Sequence, residues 1–449
     1  MTPPGRLQAA IELLAAIEAD QRPADAVANE FFRTRRFIGA SDRRAISDRV
    51  WTVLRQHRRL VWWLRATPTA RLLAGASVLL EGSSLGALTQ LFSGVRFAPA
   101  LLSDAERAAL QRLEGHTLDR PDMPDAVRFE VPDWLLPHLA ARFGPRLASE
   151  MAALLVPAPM DLRVNLLKGT RDDARAALAA EGIEAEPTPF SPWGLRVPGR
   201  RAITTGPAFQ GGLVEIQDEG SQLVALLADA RPGARVADLC AGAGGKTLAL
   251  AMTMENRGHI LACDVSTPRL EAAVRRLRRA GVHNVERHVL APGDKALKRR
   301  AGGFDRVLVD APCTGVGTWR RNPDARRRVS PADLEELLPK QAAILDSAAR
   351  LVRIGGRLIY ATCSLLLEEN EAQVTSFLAR QPGFTLTPLE RAWPRGWPPM
   401  PREVMPREVM PREVMPREIT RGEFLALSPA RHGTDGFFVA VLERTGDKS

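Results

Sequence analysis

From residue 216 onward the chain alternates short apolar, β-branched runs with helical stretches, and that alternation restricts it to a doubly wound parallel sheet flanked by helices. Strands are expected near 235–239, 259–263, 285–290, 305–310 and 357–362. Two of them end alike. Val307-Leu308-Val309 runs into Asp310-Ala-Pro-Cys313, where Pro312 stops the strand and turns the chain outward. Arg357-Leu-Ile-Tyr-Ala361 runs into Thr362-Cys363-Ser364. In sheets of this kind ligands bind in the crevice beyond the carboxyl ends of the strands. Each of the two strands therefore delivers one thiol to that crevice.

The first strand leads into Cys240-Ala241-Gly242-Ala243-Gly244-Gly245-Lys246-Thr247. Glycines here let the backbone turn tightly and approach a ligand at a helix N-terminus. A P-loop needs Gly-x-x-x-x-Gly-Lys-Ser/Thr, and Cys240 stands where its first glycine belongs. The glycine spacing is also wrong for a dinucleotide fingerprint. A loop shaped for a nucleoside remains, and Asp264, at the end of the second strand, is placed to take both ribose hydroxyls. This is the layout of Rossmann-type enzymes that use S-adenosylmethionine. Cofactor-binding candidates are Cys240, Ala241, Gly242, Ala243, Gly244, Gly245, Lys246 and Asp264. Lys246 faces either a substrate or the loop itself, whereas Cys240 and Cys263 end apolar strands as small buried residues.

Charge bears on the partner. The 449 residues carry 62 Lys+Arg against 52 Asp+Glu, a net +10, which favours a polyanion. The four cysteines, at 240, 263, 313 and 363, form no close pair, so neither a disulfide framework nor a zinc knuckle is expected, and no metal. No secretory leader opens the chain and no apolar run reaches the ~18 residues of a membrane span, so a cytoplasmic protein without a membrane partner is expected.

Residues 1–125 read as a small all-α domain. Leu7, Ile11, Leu14 and Ile17 recur at helical spacing, Pro23 marks a break, and Ser41 suits the N-cap of a helix with Ile46, Val50, Val53 and Leu54 on one stripe. Arg33, Arg35, Arg36, Arg43, Arg44, Arg55, Arg58 and Arg59 lie among them, as a solvated face or a phosphate-tracking surface. Residues 126–215 read as a Pro-punctuated linker, with Phe129–Leu135 as a docking segment, and a small α+β subdomain. In it Leu162–Asn165 is expected to form a strand, with Arg163 and Asn165 as nucleic-acid contacts or, the favoured reading, ordinary edge-strand polar residues. Residues 216–449 form the sheet domain.

Cys240–Thr247, Asp310-Ala-Pro-Cys313-Thr-Gly and Ala361-Thr-Cys363-Ser364 together resemble the Sun/NSUN family of RNA (cytosine-5-)-methyltransferases, and the N-terminal region resembles the NusB-like RNA-binding domain of its RsmB-type branch. Phe129–Leu135, Leu162–Asn165, Glu215–Glu219 and His432–Phe438 also resemble family segments, so the match covers most of 129–442. The resemblance implies a class I methyltransferase sheet, S-adenosylmethionine as cofactor, RNA as partner and a monomer. Family members often place an acidic residue on the adenine side of the cofactor after the third strand, and Asp294 stands nearest that position, beyond Pro292 and Gly293.

Two thiols suit that chemistry. Carbon 5 of cytosine attacks a sulfonium methyl only after a thiolate has added to carbon 6, and the added thiol must later be eliminated. Asp310 can stabilise the adduct by protonation near ring nitrogen 3. Residues alone leave open which cysteine adds, because DNA-type enzymes use a Pro-Cys cysteine. The resemblance assigns Cys363 as nucleophile and Cys313 to product release. It implies 5-methylcytosine formation in ribosomal RNA of the 16S type. The same chemistry on tRNA, or a non-catalytic RNA-binding assembly factor, is the alternative.

Two segments stand apart. Trp319–Arg328 carries five arginines at positions 320–328 beside the catalytic loop, and RNA contact is expected there. Met-Pro-Arg-Glu-Val occurs three times from Met400, and Met415–Ile419 makes a fourth unit; a proline every five residues forbids regular helix, so 400–419 is expected to be a flexible surface insertion. Asp435–Leu442 then supplies a strand that closes the sheet.

Overall fold

The computed structural model describes residues 1–199, 201–394 and 423–446, which form two compact units. The repeat at 400–419 lies outside the described residues. No helix among the described residues is long and apolar enough to cross a membrane.

One unit comprises residues 1–137, 151–156 and 319–329 and is entirely helical. Its first helix, Pro3–Ala19, buries Leu7, Ile11, Leu14 and Ile17, as their spacing requires. The third helix, Ala40–Arg55, buries Ile46, Val50, Val53 and Leu54. Its N-cap is Gly39, not Ser41. Ile38 is buried and its carbonyl accepts from Arg43 Nε at 2.8 Å, so the chain is pinned and turns helical before Ser41.

The arginines of this unit divide. Arg33, Arg36 and Arg44 are exposed, but Arg55 and Arg59 are buried. Arg59 pairs with Asp119 at 2.6 Å and with the buried Glu130 at 3.1 Å. The segment 319–329, expected to face RNA, packs into this helical unit and buries part of its basic run, while Arg327 and Arg328 stay exposed. Trp319, Arg320 and Arg326 are buried. Arg326 donates to Leu154 O at 2.6 Å, Arg327 pairs with Glu18 at 3.2 Å and Arg328 with Asp324 at 2.6 Å. Internal acids and a carbonyl thus partner Arg326, Arg327 and Arg328 and offset their mutual repulsion.

The second unit comprises residues 138–150, 157–318 and 330–449. Its smaller antiparallel sheet contains β1 (Met160–Val164), β2 (Glu186–Pro187), β3 (Gly194–Val197) and β4 (Val214–Ile216), in the order β2-β3-β1-β4. β1 is therefore central, which corrects the edge-strand reading of Arg163 and Asn165. Both are buried. Arg163 bonds to Gln217 and, at 2.7 Å, to Gly245 O; Asn165 Nδ2 donates to Gly212 O and Ala280 O, each at 2.9 Å. These side chains tether the small sheet to the large one.

The large sheet contains β5 (Arg235–Asp238), β6 (His259–Asp264), β7 (Val285–Val289), β8 (Phe304–Asp310), β9 (Val352–Thr362), β10 (Phe384–Leu386), β11 (Leu425–Leu427) and β12 (Phe437–Arg444). The order is β10-β12-β9-β8-β5-β6-β7, with β11 beside β12. The five strands from β7 to β9 are parallel; β5, β6, β8 and the second half of β9 carry buried apolar runs, whereas β7, at the edge, is polar and partly exposed. Beyond β9 the sheet is antiparallel, since β12 runs antiparallel to β9, β10 and β11. Only residues 428–436 link β11 to β12, too few for the crossover that a parallel pair needs. The strand order reverses at β5, where β6 lies on one side and β8 on the other. That is where an open α/β sheet holds its ligand.

Candidate active site

The carboxyl ends of β5, β6, β8 and β9 open into one cavity of about 1090 Å³. It is lined by Cys240–Ala243, Gly245, Lys246, Asp264, Asp294, Asp310, Cys313 and Cys363. Gly244 has φ +81° and serves as N-cap of the helix Gly245–Thr253, and Gly242 has φ +54° with open space where a Cβ would stand. Both glycines are needed for that turn.

Asp264 binds the loop before it binds any ligand. Its Oδ2 accepts from Gly242 N and its Oδ1 from Ser266 N, both at 2.8 Å, so the carboxylate is held at the cavity wall with lone pairs to spare. Asp294 accepts from Leu297 N at 2.9 Å and meets His288 Nε2 at 2.7 Å. The Leu297 N–H and the His288 ring hold its carboxyl well below the usual range. Leu239, Leu290, Leu297 and Ile344 add apolar walls. Carboxylates set among apolar walls beside an open glycine turn fit a nucleoside with a cationic tail, which is the donor set S-adenosylmethionine needs.

Asp310 and Lys246 form an ion pair at 2.7 Å. Burial opposes the Lys246 ammonium, but Asp310, Cys363 and Asp238 outweigh it and hold the group above its ordinary value. Cys313 and Cys363 follow on adjacent strands, and their Sγ atoms stand 3.5 Å apart. The hydrogen bond to Cys363, then burial, then the charges of Cys363 and Glu369 push the Cys313 thiol well up. Gly315, at φ +69°, lets the loop pass: a Cβ there would stand 4.0 Å from Cys363 Sγ. Gly317 donates its N–H to Cys363 O at 2.9 Å and leaves no room for a side chain, since its Cβ would fall 2.3 Å from Gly436 O.

Cys263 is buried outside the cavity lining, its thiol pushed by burial to about 12. Cys240 lines the cavity, and burial raises its thiol further still. Among the described residues no cluster of His, Cys, Asp or Glu is arranged to hold a metal ion.

Sequence reasoning passed over Asp238, Gln341 and Glu369. Asp238 ends β5 at the cavity, fully buried; Thr247 Oγ1 donates to its Oδ2 at 2.7 Å, and its Oδ1 has no partner. An acid ending an otherwise apolar strand was the available signal. Gln341 and Glu369 lie behind the cysteine loops, and only their contacts reveal them.

The profile of the 16S rRNA methyltransferase RsmB/F family matches residues 225–443, and that of the RsmF/B-like ferredoxin-like domain matches 131–204. The probable ribosomal RNA small subunit methyltransferase B of Synechocystis sp. is 33% identical over 332 residues, covering 73% of this chain and 70% of that protein. The corresponding Bacillus subtilis protein is 31% identical over 323 residues, 72% and 68% of the two chains. The crystal structure of PH0851 superposes with a TM-score of 0.77 at 27% identity over 99% of both chains. A methyltransferase homolog from Pyrococcus horikoshii gives 0.59 at 28% identity over 73% of this chain and all of that one.

Proposed function

Starting from the 16S rRNA methyltransferase RsmB/F family, to which this chain belongs, we propose that it is an S-adenosylmethionine-dependent enzyme forming 5-methylcytosine in small-subunit ribosomal RNA through a covalent cysteine–cytosine adduct. The observation that carries this reading is the pair of thiols 3.5 Å apart at the mouths of adjacent strands, beside the Asp310–Lys246 ion pair. One thiol suffices for a simple nucleophile. Two in contact suit a reaction in which one adds and the other completes its departure.

The bound cofactor supplies an electrophilic methyl group, and Gly242, Asp264 and Asp294 would hold it. Cys363 adds as thiolate to carbon 6 of the flipped cytosine, forming the Sγ–C6 bond and sending the ring electrons toward nitrogen 3. The Asp310–Lys246 pair delivers the proton to that nitrogen. Carbon 5 is then electron-rich and becomes methylated. Cys313 takes the proton from carbon 5, the electrons of that C–H bond form the C5–C6 double bond as Cys363 leaves as thiolate, and nitrogen 3 returns its proton to the Asp310–Lys246 pair. The hydrogen bond to Cys363 is foremost among the effects holding the Cys313 thiol up, followed by burial and then the charge of Cys363. Bonding of Cys363 to carbon 6 takes away its charge and weakens that hydrogen bond, so both influences on Cys313 relax once the adduct exists.

We further propose that residues 1–125 act as a NusB-like RNA-binding domain, that 126–215 add a second RNA contact before the methyltransferase domain at 216–449, and that the protein works as a cytoplasmic monomer. Bisulfite sequencing of ribosomal RNA from a deletion strain tests the function. Loss of one 5-methylcytosine in 16S RNA, restored by the gene, is expected. An unchanged 16S pattern with a lost tRNA mark, or no lost mark, overturns it.

A further inference from the structure

Behind the cavity, one carboxylate links the two cysteine loops. Glu369 is fully buried, six residues beyond Cys363. Its Oε1 accepts from Thr314 N at 2.9 Å and from Gln341 Nε2 at 3.0 Å, and its Oε2 accepts from Thr314 Oγ1. Gln341 Nε2 also donates to Pro312 O at 3.0 Å. The residues on both sides of Cys313 thus hang on Glu369 and Gln341. The other end is anchored equally. Tyr360 OH donates to Glu369 O at 2.6 Å, and Asn370 Nδ2 donates to Ser364 O at 3.0 Å.

We propose that Glu369 is a positioning residue: by holding Thr314 and Gln341 it fixes Cys313 at the distance from Cys363 that product release requires. Glu369 does not line the cavity and so has no part in binding cofactor or base. Its carboxylate reaches Thr314 and Gln341, so its effect falls chiefly on the Cys313 loop. Pro312 has no N–H to anchor it and Gly315 is free in its backbone, so the Cys313 loop depends on side-chain partners at Pro312 O and Thr314. Without the carboxylate, Thr314 N–H loses its partner, and a buried donor left unmet drives the loop to rearrange. A displacement of about 1 Å at a reacting group is enough to cost orders of magnitude in rate.

The inference rests on the assignment of Cys363 to addition and Cys313 to release, and its test keeps the two separable. Wild type, Cys313→Ala, Glu369→Ala, Glu369→Gln and Thr314→Val are incubated with labelled 16S RNA and S-adenosylmethionine, then run on denaturing gels. Glu369→Ala should accumulate the Cys363–RNA adduct as Cys313→Ala does, with kcat down about 10²-fold, the scale of a misplaced proton acceptor, and KM for RNA little changed. Glu369→Gln should be rescued. Its Oε1 can still accept from Thr314 N and Gln341, while its Nε2 donates to Thr314 Oγ1, which turns toward Ser364 Oγ, 3.3 Å away. If Glu369→Ala fails to fold, Thr314→Val decides instead: it keeps the carboxylate but loses one bond, and it should trap a fraction of the RNA. Turnover without trapped RNA in the Glu369 and Thr314 variants, while Cys313→Ala traps it, overturns the positioning role alone. No trapping in Cys313→Ala removes the release role, and the positioning role with it.

Discussion

Cys313 and Cys363, fifty positions apart in the chain, meet at 3.5 Å because β8 and β9 are neighbours in register and both stop at the same edge. The first prediction divides their labour. Cys363→Ala should abolish methylation, by ~10³-fold or more as when a nucleophile is removed, and form no adduct. Cys313→Ala should transfer methyl and then stall with RNA attached. A protease-sensitive shifted band on a denaturing gel reads the outcome, and that band in Cys363→Ala alone would reverse the two roles.

Asp264 holds the loop and, in the proposed function, the cofactor as well. Asp264→Ala removes two loop contacts of 2.8 Å and the acceptors that face the ribose. Cofactor affinity should fall about 10- to 100-fold, or roughly 1.4–2.8 kcal/mol, the worth of one or two charge-assisted hydrogen bonds. Affinity for RNA should hold. Titration calorimetry with S-adenosylmethionine decides it, and an unchanged binding constant would sink the placement.

Asp238 gives a pH signature to the cofactor-free protein. Burial foremost, with Asp310 and Asp264 adding, pushes its carboxyl from 3.8 up to about 7, against the Thr247 hydrogen bond and the Lys246 charge. The folded state therefore keeps a proton that the unfolded chain releases near 3.8. The stability tied to this group is full at pH below about 4 and is lost as pH rises toward 7, on the order of a few kcal/mol at ~1.4 per pH unit. Asp238→Asn should melt higher than wild type above pH 7, with the gap closing toward pH 4. Melting curves across that range check it, and a gap independent of pH would refute the buried-acid account.

Arg326 belongs to the helical unit's core rather than to the RNA path. Arg326→Ala removes the 2.6 Å bond to Leu154 O and the cation 5.2 Å from the Trp319 ring, and takes away a positive charge facing Glu130. Stability should drop by about 2–4 kcal/mol, the cost of leaving one partner of a buried polar group alone. RNA affinity at temperatures where the variant is folded should be unchanged. A marked loss of affinity without a lower melting temperature would return this arginine to the phosphate-facing role.

The parallel strands, the glycine loop and the two thiols were legible because each is written as a local pattern: apolar runs closed by Asp310-Ala-Pro-Cys313 and Thr362-Cys363-Ser364. What local pattern cannot carry is pairing. The arginines of 320–328 look free in sequence because Glu18 and Leu154, which satisfy two of them, stand far away in the chain. Arg163 looks like an edge residue because a strand's neighbours are set by the sheet order, not by its own residues. Glu369 is invisible for the same reason, since its worth lies in reaching Thr314 and Gln341.

The placement of β12 against β9 bears on how the enzyme is made. On the ribosome β9, which ends one residue before Cys363, emerges well before its antiparallel neighbour, with residues 363–436 still to be added. At ~5–20 residues per second that interval lasts about 4–15 s, during which a long apolar strand has an unpaired edge. A nascent chain is thus exposed to sticking to its like until Phe437–Arg444 arrives. A message truncated within that stretch would yield both cysteines yet a sheet with an open flank, a product destined for aggregation or proteolysis rather than for slow catalysis.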